Sequence, residues 1–168
     1  MNYVEPIYRE DYQVHWGFTD YHSRRVLDLG ADEGSTAYWF LEQGASFVCA
    51  VEKNPEYLAS LRKNTAMDDR VYVPINMKGI ESSDDIESLI FAWKPHIVKM
   101  DIEGDERFLP GVDRNIAGLP ADYLIETHTA KIHAAVNAFL VSLGYHTMIP
   151  YHIPIPEHEV IHAWRPAP

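Results

Sequence analysis

The sequence lacks the features that mark several large classes of protein. A single cysteine, Cys49, excludes an internal disulfide and a cysteine-rich zinc site. Because Cys49 lies in an apolar run, a core position is favoured over a nucleophile. No apolar run approaches the roughly 20 residues of a membrane span, and the first residues lack the pattern of a signal peptide. We therefore expect a soluble cytoplasmic protein with no membrane partner.

Positive charge is also scarce. The 25 acidic residues outnumber the 14 lysines and arginines and give a formal net charge of −11. Since non-specific binding to nucleic acid depends on neutralising phosphates, this balance argues against a nucleic-acid partner. The length of 168 residues and the hydrophobic content of 46% predict a single globular domain with a substantial core.

One stretch, Val26–Ser35, organises the rest of the chain. Its apolar residues run into an acidic and glycine-rich turn, and a helical period follows, which predicts a buried parallel strand, a tight turn and a covering helix. Asp28 is placed near the carboxyl end of the strand, where open α/β sheets bind ligands. Gly30 and Gly34 carry no Cβ, so the backbone can turn sharply and a ligand can lie against it. Ser35 is the predicted N-cap, and the N–H groups beyond it can bind a carboxylate.

The remaining residues alternate between strand and helix patterns. The predicted strands cover 25–29, 47–51, 71–75, 96–102, 122–126, 145–149 and 160–164, and the predicted helices cover 36–43, 54–64, 82–94 and 129–143. This alternation indicates a parallel α/β sheet. The last two strands have no helix between them, so we expect an antiparallel hairpin at that end of the sheet.

The chain divides into a short leading segment and one domain. Residues 24–168 hold the predicted sheet and helices, whereas residues 1–23 are rich in aromatics without a clean period. We interpret residues 1–23 as an arm that packs on the sheet or covers the ligand as a substrate cap. Because this arm is short, a site completed by a second subunit of a homo-oligomer is an alternative.

Three motifs resemble those of known enzymes. The spacing D-x-G-x-x-x-G at 28–34 resembles the class I S-adenosylmethionine (SAM) methyltransferases and differs from the G-x-G-x-x-G of dinucleotide binders. K-x-D-x-E-G at 99–104 is similar to a signature of the FkbM-like methyltransferases, and E-x-H at 126–128 resembles another motif of that family. The resemblance implies a Rossmann-like seven-stranded, mostly parallel sheet with helices on both faces. It also implies SAM as cofactor and transfer of a methyl group to an oxygen of a small molecule or sugar.

Candidate cofactor contacts follow the strand ends. Glu52 ends the second strand and can accept both ribose hydroxyls of a nucleoside. Because NAD binders place an acid similarly, Glu52 alone leaves both cofactors open. Asn76 follows the third strand, where class I enzymes carry a residue near the adenine, although turn asparagines are common for other reasons. Asp101 is placed near the sulfonium and can hold the ammonium group of SAM.

Lys99, Asp101 and Glu103 alternate and therefore share one face of an extended strand. Three charges on one side of a buried strand indicate a function. The alternative for Lys99 is a structural ion pair that ties the sheet to the next turn. Both interpretations stay open at the level of the sequence.

Glu126 and His128, at the end of the fifth strand, join Asp101 as the candidate catalytic residues. His128 can act as a general base on a hydroxyl, with Glu126 orienting it. Alternatively, Glu126 and Asp101 hold a divalent cation. We favour the base, because magnesium sites usually contain more carboxylates than this pair. His158 and His162 match H-E-x-x-H, but that zinc motif requires a helix and these residues are predicted in a strand.

Several functions remain in competition. An oxygen-directed methyltransferase with a small-molecule acceptor is favoured. The rivals are a methyltransferase for RNA or protein, a nicotinamide-dependent oxidoreductase, and a SAM-binding protein without catalysis. The last alternative arises because the short arm does not guarantee a substrate pocket.

Overall fold

The computed structural model describes residues 11–75, 79–150, 152–153 and 155–165. The strands in this part are β1 Arg25–Leu29, β2 Phe47–Val51, β3 Val71–Tyr72, β4 Ile97–Met100, β5 Asp122–Thr127, β6 His146–Met148 and β7 Glu159–Trp164. The helices are α1 Tyr12–Trp16, α2 Ser35–Glu42, α3 Pro55–Thr65, α4 Ser83–Trp93, α5 Arg114–Ala117 and α6 Ala130–Ser142, and a 3₁₀ segment covers Asp105–Gly111.

The strands form one seven-stranded sheet in the order β3-β2-β1-β4-β5-β7-β6. The pairs among β1 to β5 are parallel, whereas β7 runs antiparallel to both β5 and β6. This topology confirms the predicted mostly parallel sheet and the hairpin at its end. None of the helices in the described ranges is long and apolar enough to cross a membrane.

Helices cover both faces of the sheet, as predicted. Successive strand residues point to opposite faces, so Leu27 and Leu29 of β1 pack in one core and Val26 packs in the other. The first core includes side chains of α4 and α6, and the second includes side chains of α1, α2 and α3. Cys49 is buried in the first core, which agrees with its expected role as a small core residue.

Two local predictions are corrected. The third strand ends at Tyr72 rather than at residue 75, and Pro74, which has no N–H for a sheet ladder, lies within the part that does not pair. The predicted N-cap Ser35 is the first residue of α2, and the capping position is held by Gly34 at φ 97° without a side-chain cap. The turn requires a left-handed backbone there, which favours glycine.

The described part of the arm packs on the sheet. Tyr12, Trp16 and Tyr21 are buried in the core that contains Trp39 and Phe40 of α2. None of the residues from 11 to 23 lines the cavity described in the next subsection. Residues 1–10 of the predicted cap lie outside the described residues, so the cap stays a prediction.

Candidate functional site

The order of the strands brings β1 and β4 together at the centre of the sheet. This is the point at which the chain changes direction across the sheet, and open α/β sheets bind ligands at such a point. The N–H of Asp101 donates to the carbonyl of Leu29 at 3.0 Å, so the residues that follow the two strands are neighbours. Gly30 has φ 82°, and a Cβ on it would overlap the carbonyl oxygen of Asp101. Glycine is therefore required here by the close packing of two backbone segments.

A cavity of about 520 Å³ opens at this edge of the sheet. Its volume lies in the range of pockets that hold small ligands and cofactors. Five of the sequence-predicted site residues line the cavity: Gly30, Glu52, Asp101, Glu126 and His128. The structure therefore brings the candidate cofactor and catalytic residues of four strand ends into one cavity.

Of the four other predicted cofactor contacts, three do not line the cavity and one lies outside the described residues. Gly34 is buried, and a Cβ on it would contact side chains of α3. The hydroxyl of Ser35 lies 2.9 Å from the hydroxyl of Tyr12, which ties α2 to the arm. Asn76 lies outside the described residues. The fourth, Asp28, is fully buried beneath the glycine turn and does not line the cavity.

The buried partner of Asp28 is Lys99. Its ammonium lies 3.3 Å from the carboxylate of Asp28 and donates to the carbonyl of Gly30 at 2.6 Å. Thr36 donates to the same carboxylate at 2.6 Å. Burial lowers the pKa of Lys99, but the carboxylates of Asp28 and Asp101 outweigh burial and hold that pKa above its usual range. Lys99 thus ties the sheet to the glycine turn, which is the structural alternative considered for it.

The carboxylate of Glu52 is held in place by the backbone. One oxygen accepts from the N–H of Asp32 at 2.9 Å, and the other accepts from the N–H of Asn54 at 2.6 Å. The side chain is 7% exposed at the cavity wall. Each oxygen retains a second lone pair, so this fixed carboxylate can accept hydrogen bonds from two adjacent hydroxyl groups. Burial raises the pKa of Asp32 to about 6; Lys99 opposes this shift, and Glu52 adds to it.

His128 lies among four carboxylates. Its Nδ1 is 3.2 Å from Oε1 of Glu106. Its Nε2 is 3.6 Å from Asp101, 3.6 Å from Glu103 and 3.9 Å from Glu126. Burial lowers the pKa of His128, but Glu106, Asp101 and Glu126 outweigh burial and raise that pKa to about 9. The surrounding carboxylates therefore favour the doubly protonated, positively charged form of the imidazole.

Sequence reasoning missed Glu106, which belongs to none of the three motifs. Its carboxylate is fully buried, and Oε1 accepts from the N–H of Ile102 at 2.8 Å and from the N–H of Gly104 at 3.3 Å. The same oxygen faces His128. The sequence offers no local signal for this contact, because the two residues are 22 positions apart and meet only when the turn after β4 packs on the end of β5.

Sequence reasoning also missed His158. Its Nδ1 lies 3.2 Å from Oε1 of Glu126, and its ring centroid lies 4.6 Å from that of His128. A signal was present: an antiparallel β7 must begin where the parallel β5 ends, so the residue before β7 reaches the same edge. His162 contacts Asp122 at the opposite end of β5, which agrees with the rejection of an H-E-x-x-H zinc motif.

Neither a protein-family model nor a curated protein matches the sequence. Solved structures do match the fold. Precorrin-6y C5,15-methyltransferase from Geobacter metallireducens has a TM-score of 0.63 at 18% identity, covering 86% of this chain and 81% of that one. Fibrillarin from Aeropyrum pernix, solved with natively bound SAM, has a TM-score of 0.60 at 13% identity, covering 84% and 66%.

A SAM-dependent O-methyltransferase from Thermotoga maritima is also similar, with a TM-score of 0.54 at 14% identity, covering 89% of this chain and 62% of that one. At these identities the similarity establishes the architecture. The fold of this chain is that of the class I SAM-dependent methyltransferases.

Proposed function

We propose that this cavity binds SAM and that the protein transfers the methyl group to an oxygen of a small molecule or sugar. The observation that carries the proposal is the fixed carboxylate of Glu52, which lines the same cavity as Asp101 and His128. SAM supplies an electrophilic methyl group on a positively charged sulfur. The cavity residues meet its two main polar requirements, which are acceptors for the ribose hydroxyls and an anion for the ammonium group.

The proposed cofactor contacts divide between direct and supporting residues. Glu52 accepts the ribose hydroxyls, and Asp101, whose side chain is 28% exposed, accepts the ammonium group. Burial raises the pKa of Asp101, and Lys99 and His128 oppose that shift. Because a cation stabilises a carboxylate, the positive charge of SAM favours the ionised form of Asp101. Gly30 contributes backbone at the cavity wall.

Three predicted contacts take a supporting role in this proposal, and one keeps its original role. Asp28, Gly34 and Ser35 do not line the cavity. Asp28 acts through Lys99, which holds the carbonyl of Gly30, whereas Gly34 and Ser35 form the start of α2. Asn76 remains the predicted residue near the adenine.

The acceptor side of the proposed site is formed by the ends of β4 and β5. Methyl transfer needs an acceptor oxygen held in line with the methyl group and freed of its proton. Asp101 and His128 lie together there, at 3.6 Å, and Glu126 lies 3.9 Å from His128. The sequence-based prediction of His128 as general base therefore has the required neighbours, but the base must first lose the proton that the surrounding carboxylates stabilise.

The charge of the cavity favours a small acceptor over RNA. Six carboxylate side chains line it: Asp32, Glu52, Asp101, Glu103, Asp105 and Glu126. The lining lysine, Lys53, is paired with Asp105 at 2.9 Å. Phosphate groups are repelled by such a lining. The FkbM-like motifs support an oxygen acceptor, and RNA or protein methylation and SAM binding without catalysis remain the alternatives to test.

The proposal is tested first by ligand binding. A ligand that binds only the folded state at a hundred times its dissociation constant adds about 2.7 kcal/mol of stability. We expect SAM and S-adenosylhomocysteine to raise the melting temperature by several degrees and NAD to leave it unchanged. A shift with NAD alone would reject the cofactor assignment.

The second test is methyl transfer itself. The protein and radiolabelled SAM are incubated in three separate reactions. These contain a small-molecule extract, total RNA or a protein fraction. Label in the small-molecule fraction supports the proposal. Label confined to RNA or protein contradicts the proposed acceptor class, and SAM binding without transfer in all three fractions identifies a non-catalytic binder.

A further inference from the structure

We propose that Glu126, His128 and His158 form a binding site for a divalent transition-metal ion. One ligand atom from each residue lies within 4.8 Å of the other two. Oε1 of Glu126 is 3.2 Å from Nδ1 of His158 and 3.9 Å from Nε2 of His128. Metal–ligand bonds of about 2.0–2.2 Å place neighbouring ligand atoms roughly 3.0–3.5 Å apart. The three side chains are therefore close to a ligating arrangement and need only small rotations to complete it.

The sheet topology builds this group from two adjacent strand ends. In the antiparallel pairing of β5 with β7, Glu126 is opposite Val160 and Thr127 is opposite Glu159. His128 follows β5 and His158 precedes β7, so both histidines leave the sheet at the same edge. Their rings are inclined at 68°. Because regular strands position these residues, the site is set by the fold and not by a long loop.

A buried carboxylate lies close to the other ring nitrogen of His128. Nδ1 faces Oε1 of the buried Glu106 at 3.2 Å, and backbone N–H groups hold that oxygen. Histidines that bind metals usually present their other ring nitrogen to a carboxylate or carbonyl, which fixes the tautomer and aims the ligating nitrogen. In this proposal Glu106 takes that position beside Nδ1, while Nε2 lies 3.9 Å from Oε1 of Glu126.

The surroundings of Nε2 leave room for a cation. Asp101, Glu103 and Glu126 surround this nitrogen at 3.6, 3.6 and 3.9 Å. These distances exceed those of hydrogen bonds, so the three carboxylates lie around Nε2 without forming hydrogen bonds to it. A metal ion between Nε2 of His128 and Oε1 of Glu126 would lie within bonding distance of both atoms.

The ligand types select the class of metal. Two imidazoles and one carboxylate suit zinc, iron, cobalt or nickel, whereas magnesium prefers a set of oxygens. This site therefore differs from the magnesium pair of Glu126 and Asp101 considered from the sequence. Three protein ligands leave coordination positions open toward the cavity, where an oxygen-bearing acceptor can bind and become more acidic. When Nε2 of His128 binds the metal, this imidazole no longer serves as the general base, and the metal activates the acceptor in its place. That consequence rests on the proposed methyl transfer, whereas the metal site does not.

The test uses cobalt binding to the purified, chelator-treated protein. Co²⁺ reports its own coordination through visible absorption, so no activity assay is required. We expect one equivalent of Co²⁺ to bind with a saturable spectrum and excess Zn²⁺ to displace it. We expect His158→Ala to weaken binding at least tenfold, and Glu106→Gln to weaken it about 10- to 100-fold by loosening His128.

The matched control is His152→Ala. His152 lies in the same connection before β7, its side chain is 75% exposed, and its nearest carboxylate is Glu159 at 3.5 Å. This variant should bind Co²⁺ like the unmodified protein. Circular dichroism melting of every variant verifies folding. Absence of a saturable cobalt spectrum, or equal cobalt affinity in a folded His158→Ala protein, rejects the site whatever the methyl-transfer assays show.

Discussion

The ammonium group of Lys99 lies 3.3 Å from the carboxylate of Asp28, and both side chains are shielded from solvent. The two residues are register partners on the adjacent strands β1 and β4. Lys99 also holds the carbonyl of Gly30 at 2.6 Å. A buried charge pair therefore connects the centre of the sheet to the turn that lines the cavity.

We expect Lys99→Met to reduce the free energy of unfolding by about 3–5 kcal/mol, because it leaves the carboxylate of Asp28 buried without its partner. Unfolding in urea measures the loss. The control is Arg70→Met, which removes the exposed ion pair with Asp68 and should cost less than about 1 kcal/mol. Adding Asp28→Asn to Lys99→Met should recover part of the loss; a double variant less stable than Lys99→Met would contradict this explanation.

Glu52→Ala should weaken SAM binding at least tenfold, because the fixed acceptor for the ribose hydroxyls is removed. Isothermal titration calorimetry measures the change. Glu56→Ala is the control, since Glu56 is an exposed acid in the first turn of α3 and does not line the cavity. Unchanged SAM affinity in a folded Glu52→Ala protein would show that the ribose assignment is wrong.

Gly30→Ala should destabilise the fold more than Gly144→Ala does. The two glycines have similar positive φ angles, 82° and 88°, so both variants carry a comparable backbone strain of about 1–2 kcal/mol. A Cβ at Gly144 meets open space, whereas a Cβ at Gly30 overlaps the carbonyl of Asp101. Thermal and urea unfolding of the two variants compare the costs directly. Equal losses of stability in the two variants would contradict this expectation and show that the backbones after β1 and β4 can move apart without a cost.

Asp32→Asn should stabilise the protein at pH 8 and have no effect below about pH 3.8. Burial raises the pKa of Asp32 from 3.8 to about 6 in the folded state. The charged form is thus disfavoured by folding, and stability is lost as pH rises between these two values. Asparagine removes the charge and tolerates the φ of 47° at this position. Urea unfolding from pH 3.5 to 8 measures the difference in the free energy of unfolding between the variant and the unmodified protein. This difference should grow between pH 3.8 and about pH 6 and not stay constant.

The strand ends were predictable because their signals are local. Glu52, Asp101 and Glu126 each follow an apolar run, and parallel strands carry such residues to one edge. The cavity brings these three together, as the order of the motifs implies. The two cores also follow from alternation along each strand.

The rest depends on contacts between distant segments. Glu106 reaches His128 through the packing of the turn after β4, and His158 reaches it through the antiparallel β7. Glu106 belongs to no motif, and the H-E-x-x-H match of His158 does not predict this contact. Helix α2 starts one residue earlier than predicted, because the turn needs a left-handed residue at the capping position. The local capping preference of Ser35 does not anticipate this requirement. The structural role of Lys99 follows from its burial against Asp28, which the structure shows. The alternation of charged residues in the sequence alone does not distinguish a ligand contact from an ion pair.

The hydrogen bond from Lys99 to Gly30 also constrains the order in which the protein assembles. These residues are separated by 69 positions, so β1 and the glycine turn are synthesised long before the side chain that pins them. The turn reaches its final position only when β4 docks beside β1 and completes the centre of the sheet. A nascent chain that ends before residue 99 has the glycine motif but not its anchor. Acquisition of ligand binding during folding would therefore report the docking of β4, not the formation of the first strand and helix.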